Sequence, residues 1–258
     1  MCIAYLSIGH AQWPLLIAAN RDEFHARQSA VAAPWPDHPE VVAGRDLVAG
    51  GTWLGWTLQG RYGLLTNYRE PGRMASPSAP SRGVLVRDFL IGHDTAKAYV
   101  AAIASHLDDW AGFNLIIGDR LGAWYLSNRD PSGRPRLLDP GHYILSNHLL
   151  DTPWPKARRL RKNLEAVPAD GWAKDPDTIF RILHDTTQAE SSELPETGVS
   201  DDLELLLSSP FVVSPAYGTR CSTLVAVPQN GTALFSEQSY GPMGVLTERH
   251  DWRVQQAD

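Results

Sequence analysis

The second position of the chain carries a cysteine, a residue type able to act as a nucleophile. Cys2 is one of only two cysteines among 258 residues, the other being Cys221. Removal of Met1, which aminopeptidases perform when the next residue is small, would leave a thiol and a free α-amino group on one residue. Their unperturbed pKa values are about 8.5 for the thiol and about 7.7–8.0 for the amine, so the pair joins a nucleophile to a base. Taken alone, Cys2 fits an ordinary residue near a chain end better than a nucleophile.

The tetrapeptide Asn20-Arg21-Asp22-Glu23 follows the apolar segment Leu15–Ala19. We expect it at the end of a strand, where functional side chains are commonly displayed. Asp22 is suited to hold the α-amino group of Cys2, and Arg21 is suited to bind a substrate carboxylate or to pair with Glu23. The alternative interpretation is a solvated turn, which runs of charged residues usually form.

Two asparagines also follow predicted strands. Asn67 lies in Leu65-Thr66-Asn67-Tyr68-Arg69, and Asn147 lies in Leu145-Ser146-Asn147-His148. A side-chain amide is a typical donor to an oxyanion, and removing one such donor costs about 2.7–4 kcal/mol of transition-state stabilisation. Asparagine is also common in turns, so each residue alone fits a turn at least as well.

Two further segments carry candidate substrate-binding residues. Segment 50–55 (Gly-Gly-Thr-Trp-Leu-Gly) contains Trp53 and allows close approach of backbone to a ligand, but it lacks the spacing of a phosphate-binding loop. Arg220 is the first basic residue after Arg181 and is suited to an anionic group of a substrate. Cys221 is predicted to be a small core residue rather than a second nucleophile.

Composition excludes several classes of protein. Hydrophobic residues make up 43% and charged residues 20%, with a net charge of −6, which is typical of a soluble globular protein and unfavourable for nucleic acid binding. The sequence contains neither a membrane-spanning apolar run nor a signal peptide, so we expect a cytoplasmic protein. Two cysteines do not indicate a metal site. Residues 1–258 are predicted to form a single domain, and nothing in the sequence indicates the oligomeric state.

The order of predicted elements is strands, a helix pair, strands, a helix pair and strands. This order favours an α+β fold with two antiparallel sheets and helices on their outer faces. Residues Ala30–Asp46 are predicted to form a loop, Asp185–Glu204 an exposed loop, and the residues after Glu237 a polar tail. A basic cluster on the third predicted helix is interpreted as a solvated surface: Lys156, Arg158, Arg159, Arg161 and Lys162.

Together these motifs resemble the NRDE family, which includes the transport and Golgi organization proteins, and which is similar to N-terminal-nucleophile (Ntn) hydrolases of the choloylglycine hydrolase and penicillin V acylase group. The resemblance implies a four-layer αββα sandwich and hydrolysis of a C–N bond. It assigns Cys2 as the nucleophile, Asp22 as the residue that holds its amine, and Arg220 as a second arginine. The motifs that carry the resemblance are Met1-Cys2-Ile3, 20–23, 50–55, 65–69, 145–147, 151–156 and Tyr217-Gly218-Thr219-Arg220.

The same resemblance assigns Asn67 and Asn147 to the oxyanion hole. One position departs from the hydrolases, which carry an arginine where this chain has Ala19. We expect Arg21 to lie on the opposite face of the strand, so that the thiol is activated differently.

Two hypotheses follow. In the first, the protein is a hydrolase or acyltransferase that acts on an amide or thioester bond of a small acyl substrate and requires no cofactor. In the second, the fold binds and carries haem or an acyl ligand without catalysis, as links of the NRDE family to haem trafficking imply. The candidate axial ligands for haem are His10, His25, His142 and His148, which lie near predicted turns.

Overall fold

Thirteen strands in the described residues pair into two antiparallel sheets. The computed structural model describes residues 2–73 and 79–255. One sheet has six strands in the order β10-β1-β2-β11-β12-β13, and the other has seven in the order β3-β4-β5-β6-β7-β8-β9. The strands are β1 Cys2–Ile8, β2 Leu15–Phe24, β3 Ser29–Pro34, β4 Val41–Asp46, β5 Leu54–Thr57, β6 Tyr62–Asn67, β7 Phe113–Asp119, β8 Gly122–Ser127, β9 Arg136–Leu138, β10 Gly141–Leu145, β11 Tyr217–Val227, β12 Thr232–Tyr240 and β13 Leu246–Gln255.

Helices cover the outer faces of both sheets, which confirms the predicted αββα arrangement. They are α1 Gly83–Ile91, α2 Ala96–Ala104, α3 Pro155–Glu165, α4 Gly171–Lys174, α5 Pro176–Leu183 and α6 Asp201–Leu206. Helices α1 and α2 pack on the seven-stranded sheet, and α3 to α5 pack on the six-stranded sheet. No helix in residues 2–73 and 79–255 has the length and apolar character needed to cross a bilayer.

The alternation of side chains along β1 explains how one strand serves two cores. Ala4 and Leu6 point between the sheets, whereas Ile3 and Tyr5 point towards the helices. All four side chains are buried, because this strand lies inside its sheet between β10 and β2. The first residue of the strand, Cys2, is paired with β2 and faces the space between the sheets.

Three segments predicted to be irregular contain regular structure. The predicted loop Ala30–Asp46 forms most of β3 and β4, and the predicted polar tail forms β13. The prediction of an exposed loop at Asp185–Glu204 is correct for most of the segment, because α6 begins only at Asp201 and Glu204 is the buried end of the segment. The predictions for Ala30–Asp46 and for the tail were wrong because small or polar residues formed strands through tertiary pairing, which local propensity does not report.

Candidate functional site

Cys2 lies directly opposite Arg21 in the antiparallel pairing of β1 with β2. Residues 20–23 lie at the end of strand β2, as predicted, but inside the strand rather than after it. The alternative of a solvated turn is wrong, because Asn20, Arg21 and Asp22 are buried. The expected orientation of Arg21 is also wrong, because residues two apart on a strand share a face. Arg21 therefore points between the sheets, on the face that also carries Ala19.

A cavity of about 150 Å³ opens beside Cys2. It brings together four residues singled out from the sequence, Arg21, Asp22, Trp53 and Asn67, with Cys2 itself. A neighbouring cavity of about 330 Å³ shares Asn67 and also includes Asn147. The remaining lining residues of the first cavity are Glu23, Arg27, Asp46, Thr52, Leu65, Ser81, Arg82 and Gly83.

Hydrogen bonds to the backbone fix the position of Cys2. Its nitrogen donates to Oδ1 of Asn147 at 3.3 Å, and its carbonyl oxygen accepts from Oγ of Ser146 at 3.0 Å. Burial raises the pKa of the Cys2 thiol, the Asp22 carboxylate raises it further, and the Arg21 guanidinium acts in the opposite direction. Reactivity of this thiol at neutral pH therefore depends on nearby positive charge or on a base.

Asp22 lies on the other face of β2, towards the helices. Its neighbour on that face, Asn20, donates to the carbonyl oxygens of Leu183 and Pro210 at 2.8 and 2.9 Å. Asp22 is 2% exposed, and its Oδ1 accepts from the Thr219 hydroxyl at 2.7 Å. Burial raises the pKa of the Asp22 carboxyl, because the charged form loses hydration. The positive charges of the chain's amino terminus, Lys156 and Arg21 oppose this rise, as does the hydrogen bond from Thr219.

The two asparagines hold different positions. Asn147 is fully buried, and its Nδ2 donates to the carbonyl oxygen of Asn67 at 2.9 Å while its Oδ1 accepts from Cys2. Asn67 is partly exposed and lines both cavities. Asn67 is thus placed to offer its amide to a ligand, whereas Asn147 positions the backbone of Cys2.

Arg21 lies over the ring of Trp53, with 4.3 Å between the guanidinium carbon and the ring centroid. Its Nη2 lies 3.9 Å from Oε2 of Glu23, and its Nη1 has no hydrogen-bond partner among the described residues. A buried guanidinium with an unused donor, stacked on an aromatic ring, is suited to a planar anionic group. Trp53 orients Arg21 through a cation–π contact.

Arg82 is a functional candidate that no sequence signal indicated. It lines both cavities, and its Nη1 donates to the carbonyl oxygen of Gly112 at 2.8 Å. Burial lowers the pKa of its guanidinium. Arg82 reaches the site because the backbone nitrogen of Thr52 donates to the carbonyl oxygen of Gly83 at 3.0 Å, which joins the start of α1 to the glycine-rich segment.

Arg220 and the four histidines lie outside the two cavities. Nη1 of Arg220 donates to the carbonyl oxygens of Phe24, His25 and Arg27 at 3.0–3.2 Å, so this side chain braces the turn after β2. Among the described residues, the two cavities include no histidine. Nor do the described residues contain a group of three or more side chains arranged to hold a metal ion.

Lys156 corrects the interpretation of the basic cluster as a solvated surface. The side chain is 1% exposed, whereas Arg158 and Lys162 on the same helix are exposed. Its spacing of four and eight residues from Leu160 and Leu164 places all three on one helix face, a signal that the sequence did contain.

Comparison with known proteins agrees with this architecture. A solved structure of a Caenorhabditis elegans N-acylethanolamine-hydrolyzing acid amidase (NAAA) ortholog matches with a TM-score of 0.52 and 14% identity, covering 86% of this chain and 92% of that chain. That protein is an Ntn hydrolase, and the likeness shows a shared fold. The transport and Golgi organization protein 2 homolog of Homo sapiens is 34% identical over 93% of both chains, and the Mus musculus homolog is 32% identical over 93% of both chains. The family model for transport and Golgi organisation 2 matches residues 1–242, and the chain belongs to this family.

Proposed function

We propose that this protein is an N-terminal-cysteine hydrolase or acyltransferase that acts on an amide or thioester bond of a small acyl substrate. The observation that carries the proposal is the single cavity that includes Cys2, Arg21, Asp22 and Asn67. The fold shared with an Ntn hydrolase supports the same proposal. In this proposal Cys2 gains its α-amino group when Met1 is removed.

The neutral α-amine of Cys2 takes the thiol proton, and the thiolate sulfur attacks the carbonyl carbon of the substrate. A C–S bond forms, and the carbonyl oxygen becomes an oxyanion that accepts from the amide of Asn67. The bond to the leaving amine or thiol then breaks, and the α-ammonium returns the proton to that group. Water attacks the acyl-enzyme, which releases the carboxylic acid and restores the thiol; an acceptor amine in place of water gives acyl transfer.

Arg21 and Arg82 define the substrate class in this proposal. Both guanidinium groups belong to the cavity wall on the Cys2 side, and Arg21 has a donor without a partner among the described residues. Of the three acidic side chains in the same wall, Asp46 is paired with Arg27 at 2.6 Å. A carboxylate or another planar anion on the substrate would therefore find two charged donors beside the nucleophile.

The alternative is a ligand carrier on the same fold without catalysis. Two observations favour it: burial raises the pKa of the Cys2 thiol, and the amide of Asn147 is already bonded to Asn67 and Cys2. Haem would be a carried ligand in this case, although the two cavities include no histidine among the described residues. Titration with haemin, followed by the Soret band, tests this alternative, and a spectrum unchanged by the protein would contradict it.

Two measurements test the catalytic proposal. Intact mass of the purified native protein reports whether Met1 is absent, and a retained Met1 rules out the α-amine as the base. Incubation with a hexanoyl thioester or a hexanoyl arylamide should then add one hexanoyl group to the peptide that contains Cys2. The Cys221→Ala variant should still be acylated, because Cys221 is only 4% exposed and lies in the core. The Cys2→Ala variant should not be acylated.

A further inference from the structure

Lys156 is a buried charge without an evident structural reason. It lies in the first turn of α3, is 1% exposed, and its Nζ has no hydrogen-bond partner among the described residues. Burying an ammonium without hydrogen bonds opposes folding, and a methionine of similar length would avoid this cost. A side chain that weakens the fold at one position calls for a functional explanation.

The surroundings of Lys156 point to Asp22. The charged and titratable groups that act on it are Asp22 on β2, Cys2 on β1, Arg69 after β6 and Glu204 on α6. Arg69 and Glu204 pair with each other at 2.5 Å, with both side chains at most 5% exposed, and so their charges largely cancel. The main opposite charge that remains for Lys156 is the carboxylate of Asp22.

We propose that Lys156 is a positioning residue of the Cys2 site, the counter-ion that keeps Asp22 ionised at neutral pH. The inference rests on the proposed function, in which Asp22 holds the α-amine of Cys2. That amine must alternate between neutral and charged forms during the reaction, so it cannot balance the charge of Asp22 throughout. Lys156, on the helix side of the sheet and away from the cavity, is able to do so.

The electrostatics of both groups are consistent with this role. Burial lowers the pKa of Lys156 to about 8, and Asp22 acts against this effect. Lys156 is therefore positively charged at neutral pH, where Asp22 needs a counter-ion. Without it, the buried carboxyl of Asp22 would bind a proton more readily, and a protonated carboxyl is a poorer acceptor for the amine.

The test is a direct titration of Asp22. Protein labelled with ¹³C at the carboxyl carbon of aspartate gives a resonance for Asp22, assigned by its loss in Asp22→Asn. In Lys156→Met the midpoint of this resonance should move up by about one pH unit, a tenfold change in proton affinity. Lys162→Met, an exposed lysine of the same helix, should leave the midpoint unchanged. An equal midpoint in the two lysine variants would overturn the proposal.

A second neutral variant and the independence of the titration from catalysis separate the possible outcomes. Lys156→Gln provides a second neutral side chain if the methionine variant does not fold, as judged by circular dichroism. The titration needs neither Met1 removal nor a substrate, so its result is independent of catalysis. A shifted midpoint without acylation of Cys2 would contradict the proposed function alone, whereas acylation with an unshifted midpoint would contradict only the role of Lys156.

Discussion

Arg21 stands directly across from Cys2 in the pairing of β1 with β2, and the ring of Trp53 lies 4.3 Å from its guanidinium carbon. A thiol and a guanidinium are thus fixed side by side on two paired strands rather than on loops. The hydrolases that the sequence resembles have an arginine at the position of Ala19, on the same face of β2. In this chain Arg21, two residues along the strand, carries a guanidinium on that face.

Arg21→Gln should slow acylation of Cys2 by an anionic probe more than by a neutral one. A hydrogen bond to a charged group contributes about 1.5–3 kcal/mol, so we expect roughly a 10- to 100-fold loss for a glutaryl thioester. A pentanoyl thioester of equal chain length, which lacks the carboxylate, should lose less. Arg120→Gln, an exposed arginine, is the control. Equal losses with the two thioesters would show that Arg21 does not recognise an anion.

Gly51→Ala should disrupt the wall of the cavity. A Cβ atom at Gly51 would lie 2.4 Å from the carbonyl carbon of Gly83 and 2.7 Å from its oxygen, and both atoms belong to the backbone. The segment that carries Trp53 must then separate from the start of α1. We expect a loss of about 1–3 kcal/mol in the free energy of unfolding, measured by urea denaturation. Gly141→Ala, whose Cβ would meet no atom closer than 4.0 Å, should be tolerated; similar losses in both variants would contradict this account.

The sequence predicted the layered architecture of the fold better than the strands β3, β4 and β13. Short apolar segments bounded by turn residues predicted β1, the first half of β2 and the strands from β5 to β12, because most of these strands bury one or both faces. Strands β3 and β4 were not predicted because their segment of the sequence is rich in alanine, proline and charged residues. Strand β3 is also bonded to residues far along the chain: the nitrogen of Ala32 donates to Glu237 at 2.8 Å, and Nε1 of Trp252 donates to the carbonyl oxygen of Ala32 at 3.0 Å.

The sequence predicted the site residues that lie on β1, β2 and β6. It did not predict the residues that only tertiary contacts bring to the cavity. Arg82 follows no motif, and Arg220 braces a turn although its position suggested a ligand. Lys156 was assigned to the surface because its neighbours are charged. Its helical spacing from Leu160 was the better guide, since burial on a helix follows the face rather than the local composition.

Glu204→Gln should destabilise the protein strongly, because it leaves the charge of Arg69 without its buried carboxylate. Glu204 also accepts from the nitrogen of Thr197 at 2.9 Å, so it links α6 to the preceding segment. We expect a loss of about 3–5 kcal/mol in the free energy of unfolding, measured by urea denaturation. The matched control is Glu193→Gln in the exposed pair with Arg158, which should cost about 0–1 kcal/mol. Equal costs for the buried and the exposed pair would refute this prediction.

Lys156→Met should be more stable than the wild-type protein at neutral pH, and this advantage should decrease as the pH rises. The pKa of Lys156 is lowered from its ordinary value of 10.5 to about 8 in the folded protein. Between these values the unfolded chain binds more protons than the folded one, so wild-type stability rises with pH in that window. Below it, the buried ammonium costs on the order of 3 kcal/mol, which the methionine variant avoids.

Urea denaturation of Lys156→Met at a series of pH values measures this difference. The gap to wild type should be largest below about pH 8 and should close towards pH 10.5, as Lys156 loses its proton in both the folded and the unfolded wild-type protein. Lys162→Met should follow the wild type at every pH, because Lys162 is exposed. A methionine variant that is less stable than wild type at neutral pH would mean that the ammonium stabilises the fold, and that the stability cost inferred for Lys156 is absent.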